Sequence, residues 1–225
     1  TVCAARGCDF ALYLGDNFYD VGVDSIEDPQ FIDKFESPYA ELDFPFYAVL
    51  GNHDYALGHV WEAPDPQVAY TDVSEKWIMP DRYHSHSTEH AIFAGLDTNA
   101  IMWNNEWGGM DDQAAWFNEA MDNSNALWKF AYGHHPYISN GQHGVAGHYD
   151  GMEDVPIAGG TDIKNFIEDN LCEKVDIYFS GHDHDMQWLE PQCGVEFIVS
   201  GAGAKQRDYR GWDVATKFEV YNENG

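Results

Sequence analysis

Four short stretches place potential metal ligands directly after an apolar run that ends in glycine. They are "GDNFY" at 15–19, "GNHDY" at 51–55, "GHHPY" at 133–137 and "GHDHD" at 181–185. Taken singly, each reads as a turn, because glycine supplies left-handed backbone and Asn or Asp bonds its own main chain. Turns do not, however, call for His, Asp or Asn every time. Imidazole, carboxylate and amide oxygen together suit borderline and hard divalent or trivalent cations, whereas soft sites use Cys. Two such ions about 3.5–4 Å apart, bridged by an anionic oxygen that an Asp can supply, clamp a phosphate and generate hydroxide at neutral or acidic pH. Tyr19, three residues beyond Asp16, has no use in a turn.

The elements that must position these loops follow from the apolar pattern. Strands are expected over 9–14, 44–50, 90–96, 127–133, 175–180 and 195–201, and helices over 28–39, 66–77, 111–122 and 160–172. In the third helix Ala114, Phe117 and Met121 give the helical period, with Asp111 or Asp112 as N-cap. A further helix is expected at the start ("TVCAARG"), stopped by Gly7. Strands alternating with helices indicate an α/β fold with buried strands. In open α/β sheets, sites assemble at the carboxyl ends of strands, which is where all four glycine-led loops fall.

The 225 residues suffice for one large domain or two small ones, and no linker or repeat divides them, so a single domain over 1–225 is expected. With 11 basic against 39 acidic residues the net charge is −28, which repels nucleic acid and anionic membranes. A phosphate-bearing substrate is repelled too unless a local positive centre overrides that field, and metal ions or the four arginines are the candidates. No stretch has the length and apolarity of a membrane span. The four cysteines fall into two local pairs, Cys3 with Cys8 and Cys172 with Cys193, without zinc-ligand spacing. Two short-range disulfides in an exported protein is the preferred reading; buried thiols in a cytosolic one is the alternative.

The four motifs, in this order, resemble the calcineurin-like metallophosphoesterase family. Tyr19 in the first motif narrows the resemblance to purple acid phosphatases, and the compact chain resembles the small tartrate-resistant and bacterial members. The likeness extends to "FYAVLGNHDY", "KWIMPDRY" and "FIVSGAG". It implies a four-layer α-β-β-α sandwich of two mixed sheets flanked by helices. It implies Asp16 bridging two metals, Tyr19 and His184 on Fe(III), and Asn52, His134 and His182 on a divalent partner (Zn, Mn or Fe). His53 and His143 match the histidines that contact phosphate and protonate the leaving group, and Asp54 is expected to orient His53. The implied activity is hydrolysis of small phosphate monoesters by a metal-bound hydroxide in a secreted, periplasmic or extracellular acid phosphatase. A phosphodiesterase or nucleotide hydrolase on the same site is the alternative, since the motifs fix the metals and not the leaving group.

One family feature is missing. A D-x-G motif on an earlier strand, whose aspartate would bind iron alone, does not precede "GDNFY". The sequence is therefore expected to be a fragment lacking that first strand, and cut short after "KFEVYNENG" as well. A degenerate protein that binds metal or phosphate without catalysis is the remaining reading. Among other residues, His84 and His86 are expected on a solvated strand edge, with a third metal site as the lesser alternative. His135 is expected to point away from its neighbour His134. His148 and Tyr149 are placed in a loop bordering the pocket, and His59 has no assigned partner.

Overall fold

The computed structural model describes residues 6–57, 60–104, 109–207 and 211–220. Among them run ten strands: β1 (Ala11–Leu14), β2 (Phe46–Val49), β3 (Trp77–Ile78), β4 (His84–Ser87), β5 (Ala91–Gly95), β6 (Trp128–Tyr132), β7 (Ile177–Ser180), β8 (Met186–Leu189), β9 (Glu196–Ser200) and β10 (Thr216–Val220). They form two sheets, of order β1-β2-β3 and β10-β8-β9-β7-β6-β5-β4. The larger is mixed: β5, β6, β7 and β9 run parallel, while β4, β8 and β10 are antiparallel to their neighbours. In the smaller, every described pairing is parallel, so only one of the two expected mixed sheets is mixed.

Strand periodicity explains the layering. Along β2 and the residue after it, Phe46, Ala48 and Leu50 join an outer core with Phe31, Phe35 and Trp77, whereas Val49 and Tyr47 face the other way. In β5 and the residue beyond it, Ile92, Ala94 and Leu96 pack beneath the helices of the larger sheet, and Ala91 and Phe93 join Val49 between the sheets. Alternate residues thus feed two cores, as a strand buried on both faces requires. The result is the expected four-layer arrangement, with helices on both outer faces.

All six strands read from the apolar pattern are present, as is the strand expected around His84 and His86 (β4), and three others (β3, β8 and β10) were not foreseen. The helices are shorter than their apolar patterns. Residues 31–36 form a π-helical turn, and the helix Asp65–Ala69 passes into a 3₁₀ turn at Tyr70–Asp72, leaving Trp77 to β3. The third helix spans Met110–Asp122 and is led by Gly109 at φ 90°, a conformation glycine adopts without strain; Asp111 and Asp112 lie in its first turn, not at its cap. The helix Thr161–Phe166 continues as a π turn over Ile167–Leu171, and Cys172 then bonds Cys193. Cys8 is not a free thiol, but Cys3, His59 and most of the opening segment lie outside the described residues.

His84 and His86 correct their expected place. Although β4 is an edge strand, both side chains point between the sheets. His84 Nε2 lies 2.9 Å from the Ala48 carbonyl, and the His86 ring stacks on Tyr47 (3.5 Å) and Phe93 (4.8 Å). Edge position and face burial are independent. An outermost strand can still turn one face to the core.

Candidate functional site

The four glycine-led loops meet where the carboxyl ends of β1 and β2 in one sheet approach those of β6 and β7 in the other. The approach is tight enough to dictate glycine. A Cβ on Gly51 would sit 2.3 Å from both the Asp16 amide nitrogen and Oδ1, and Gly15 has φ 84°. His134 ties the sheets together, its Nδ1 being 2.8 Å from the Leu14 carbonyl. Asp16 and His182 both hold positive φ (52° and 64°), a strain that side-chain-bearing residues keep where surrounding structure and function demand it.

The cluster is dense. His134 Nε2 lies 3.3 Å from Asp16 Oδ1, 3.2 Å from Asn52 Oδ1 and 3.0 Å from His182 Nδ1. Tyr19 donates its hydroxyl to Asp16 Oδ2 at 2.8 Å and stands 3.2 Å from His184 Nε2. The His53 amide donates to Asp16 Oδ1 (3.0 Å), and its ring Nδ1 lies 2.6 Å from the Asp20 carbonyl. The His143 ring lies 4.0 Å from that of His182. The structure therefore gathers Asp16, Tyr19, Asn52, His53, His134, His143, His182 and His184 in one place.

Asp54 has a different job from the one expected of it. Fully buried, its carboxylate accepts from the amides of Asn17 (3.1 Å), Phe18 (3.2 Å) and Gly51 (2.9 Å) and from Gln67 Nε2 (2.9 Å). It clasps the first two loops together, while His53 takes its ring orientation from Asp20. Burial, and next the Asp16 charge, push the Asp54 carboxyl up to about 6.

Two other expectations change. His135 does not turn away: His134, His135 and His182 each bring a ring nitrogen within 4.8 Å of the others, and His135 Nδ1 is held 2.9 Å from Thr98 Oγ1. His148 pairs outward with Glu153 at 3.0 Å, whereas Tyr149, buried with its hydroxyl donating to the Pro136 carbonyl, does line the pocket beside His143. Sequence reading missed three contributors. Asp183, inside "GHDHD", accepts the His143 amide at 2.8 Å. Lys205 lies over the Tyr19 ring, 3.3 Å from its centroid, and Arg207 donates to His143 Nε2 at 3.1 Å. The available signal was that "GAGAKQR" follows β9 at the same sheet edge as the four motifs.

The donor set fits a cation. With Nδ1 at the Leu14 carbonyl, His134 turns Nε2 to the carboxylate and amide oxygens of Asp16 and Asn52. Burial opposes charge on the ring, but the Asp16 carboxylate outweighs it and raises the pKa, so Nε2 offers a lone pair where a cation takes the place of its proton. Donors crowded this way repel one another unless a positive charge stands among them. His184 Nδ1 is buried without a hydrogen-bond partner. Burial and the neighbouring histidines hold His182 well below its ordinary pKa; burial, then Arg207, bring His184 down to about 4. Neutral imidazole is the form that binds metal. Burial opposes charge on Asp16 also, but His134 and His53 outweigh it and keep the carboxyl far below the usual range.

Two cavities adjoin the cluster. A groove of about 250 Å³ runs from Asp16, Tyr19 and His184 along β1. A pocket of about 490 Å³ opens beyond His143 and His182, with Met102, Trp103, Met152 and Ile157 on its walls.

Layers and cluster define the class: an α-β-β-α sandwich with a histidine-rich, cation-suited site at the shared carboxyl edge of its two sheets. A sequence profile described as Calcineurin-like phosphoesterase matches residues 2–186, and the chain belongs to that family. It is 31% identical over 218 residues to tartrate-resistant acid phosphatase type 5 of Sus scrofa, covering 90% of this chain and 61% of that protein. It is 33% identical over 239 residues to purple acid phosphatase 7 of Arabidopsis thaliana, covering 96% and 67%. The chain thus spans about three fifths of the length of the mammalian relatives it matches. Among solved structures, "GAP50 the anchor in the inner membrane complex of Plasmodium" aligns with TM-score 0.73 at 21% identity, covering 99% of this chain and 70% of that one. Purple acid phosphatase PPD1 from yellow lupin aligns at 0.60 and 16%, covering 98% and 41%. At these identities the structural matches speak for the fold.

Proposed function

We propose that this site belongs to an acid phosphatase hydrolysing phosphate monoesters at a dinuclear centre of Fe(III) and a divalent ion. The observation that carries the reading is the approach of Asp16 Oδ1, Asn52 Oδ1 and His182 Nδ1 to within 3.0–3.3 Å of His134 Nε2. Asp16 would bridge, with Tyr19 and His184 on the ferric side and Asn52, His134 and His182 on the other. Bound there, the two ions would neutralise phosphoryl charge and acidify water.

The chain's own residues do the rest. Asp54, through its four accepted hydrogen bonds, holds the loop of Asp16 and Tyr19 against the loop of Asn52 and His53. His53 and His143 flank the cluster from opposite sides, His53 beside Asp16 (Nε2 to Oδ2 3.9 Å) and His143 over His182. Each would touch a phosphate oxygen and hand a proton to the departing alcohol. His143 is held from behind by Asp150 Oδ2, 3.2 Å from its Nδ1. Likeness to purple acid phosphatases from animals and plants supports the reading. So does the Cys172–Cys193 bridge, which suits an oxidising, exported location. No helix among the described residues is long and apolar enough to cross a membrane.

The test is to load the protein with iron and zinc, record its visible spectrum and assay aryl phosphate monoesters against diesters at acidic pH. The expected result is a tyrosinate-to-iron band that Tyr19→Phe removes, together with monoester hydrolysis. A colourless iron-loaded protein would remove Tyr19 from the site. Metal and phosphate binding without turnover would leave the non-catalytic reading.

A further inference from the structure

The chain carries −28 charges and has 11 lysines and arginines to set against them, yet two of these cations face the cluster from one short loop. Both belong to the segment after β9. Lys205 lines the groove with Asp16, Tyr19 and His184, its ammonium lying over the Tyr19 ring. Arg207 is anchored at both ends: its amide donates to the His184 carbonyl (3.1 Å), and Nη1 donates to Gln142 Oε1 (2.6 Å) and His143 Nε2 (3.1 Å). No carboxylate is recorded as an ion-pair partner of either side chain among the described residues, although 39 acidic groups were available. Five other cations are ion-paired, Lys76 with Glu36, Arg82 with Asp65, Lys164 with Glu168, Lys174 with Asp122 and Lys217 with Glu196. Lys34 and Lys129, neither of which lines the groove, are taken up by carbonyl oxygens.

We propose that Lys205 and Arg207 form an anion clamp that recruits the phosphate group of the substrate and sets its charge preference. The proposal rests on the phosphatase reading above and deepens it. A field set by so many carboxylates repels any phosphate at long range, and cations focused at the site are what locally reverse that repulsion. Arg207 sits against His143, the side chain expected to touch phosphate, and its guanidinium can exchange the imidazole nitrogen for a phosphate oxygen. Guanidinium donors bind planar pairs of phosphate oxygens, whereas an ammonium such as that of Lys205 acts as a point charge. Two fixed positive charges favour a dianion over a monoanion. Above the second phosphate ionisation, at about pH 6, the clamp therefore selects phosphate monoesters, which then carry two negative charges, over diesters, which carry one. Arg207 is in this sense a specificity-determining residue, with Lys205, two residues earlier in the same loop, as its partner.

The experiment uses the metal-loaded protein, inorganic phosphate as probe in calorimetric titration, and steady-state kinetics on p-nitrophenyl phosphate and bis(p-nitrophenyl) phosphate. Arg207→Gln and Lys205→Gln should each weaken phosphate binding and raise monoester KM roughly tenfold, the scale of one charge-assisted hydrogen bond. The expected change in kcat is less than about threefold, and that in diester KM smaller than in monoester KM. The salt dependence of phosphate affinity should flatten, because fewer opposed charges remain to be screened. Arg207→Lys should recover part of the loss. Lys217→Gln changes net charge equally at a remote strand and should leave every parameter unchanged. Unaltered phosphate affinity and KM in both clamp variants would overturn the proposal. So would equal losses in Lys217→Gln, equal losses for diester and monoester, or a fall in kcat alone. A wild-type protein that binds no phosphate would overturn the phosphatase reading and the clamp together. Normal wild-type binding with unaffected variants would overturn the clamp only.

Discussion

Replacing His86 by phenylalanine should remove a large part of the acid sensitivity of this fold. The ring lies between Tyr47 and Phe93, within 4° of parallel to each, with the Phe10 ring edge-on at 5.1 Å. Both ring nitrogens are buried and find no hydrogen-bond partner. Burial, and next the neighbouring His84, bring His86 down from 6.5 to about 4. The unfolded chain keeps the ordinary value, so between pH 6.5 and 4 the unfolded state binds more protons than the folded one. Stability associated with neutral His86 is thus full above pH 6.5 and drains away as pH falls towards 4. A drop of that size corresponds to about 3 kcal/mol, and about 2 kcal/mol after allowance for the partial exposure of the residue.

Phenylalanine keeps the stack and removes both nitrogens. At pH 7.5 the variant should be more stable by about 1–2 kcal/mol, because two unsatisfied polar atoms leave the core. At pH 4.5 the gain should reach about 3–4 kcal/mol. Urea unfolding of both proteins across this range, by tryptophan fluorescence, gives the difference at each pH, and an unchanged m-value keeps the comparison two-state. Other titrating groups drop out of the difference. Asp97, raised by burial to about 6, pulls the opposite way because its stability falls as pH rises, but it is present in both proteins. His84, lowered by burial, likewise stays in both. A stability difference that is flat from pH 7.5 to 4.5 would refute the assignment of His86 as a buried neutral base.

Three further substitutions test the framework. Asp54→Ala strands four donors in a dry interior, and a loss of about 3–5 kcal/mol with greatly weakened metal uptake is expected, read by thermal unfolding and metal analysis. Gly51→Ala puts a methyl group against the backbone and carboxylate of Asp16, so metal content should collapse while far-UV circular dichroism stays native. Changing Cys172 and Cys193 to serine opens a loop with sequence separation 21. The chain-entropy relation gives a loss of about 3 kcal/mol, visible as a lowered Tm that reductant no longer shifts.

The parts of this molecule that were legible in the sequence are those where local chemistry and global position coincide. A strand ending in glycine and followed by Asp, Asn or His declares both its direction and its role, so the cluster of Asp16, Asn52, His134 and His182 could be assembled before any coordinates. What escaped was set by distant residues. Asp54 follows His53 and was matched with it, yet its oxygens are claimed by Asn17, Phe18 and Gln67, which adjacency in sequence cannot reveal. The "HSHS" of β4 looks like a wet edge because its polarity alternates with polarity. Only the facing Tyr47 and Phe93 make one of its two faces a core.

The same distinction bears on charge. Composition made phosphate an improbable guest for so acidic a chain unless some positive centre intervened, and the metal motifs seemed to answer that on their own. The structure adds a second source. Lys205 and Arg207 reach the cluster from a loop that carries no ligand motif, and Arg207 is held there by the carbonyl of His184 and the side chains of Gln142 and His143. Net charge acts over the whole surface and is screened within about 8 Å at physiological ionic strength, whereas two cations fixed beside the reacting group act at contact. A protein can therefore be strongly acidic for solubility and still receive an anion, provided its few positive charges are spent where the chemistry is.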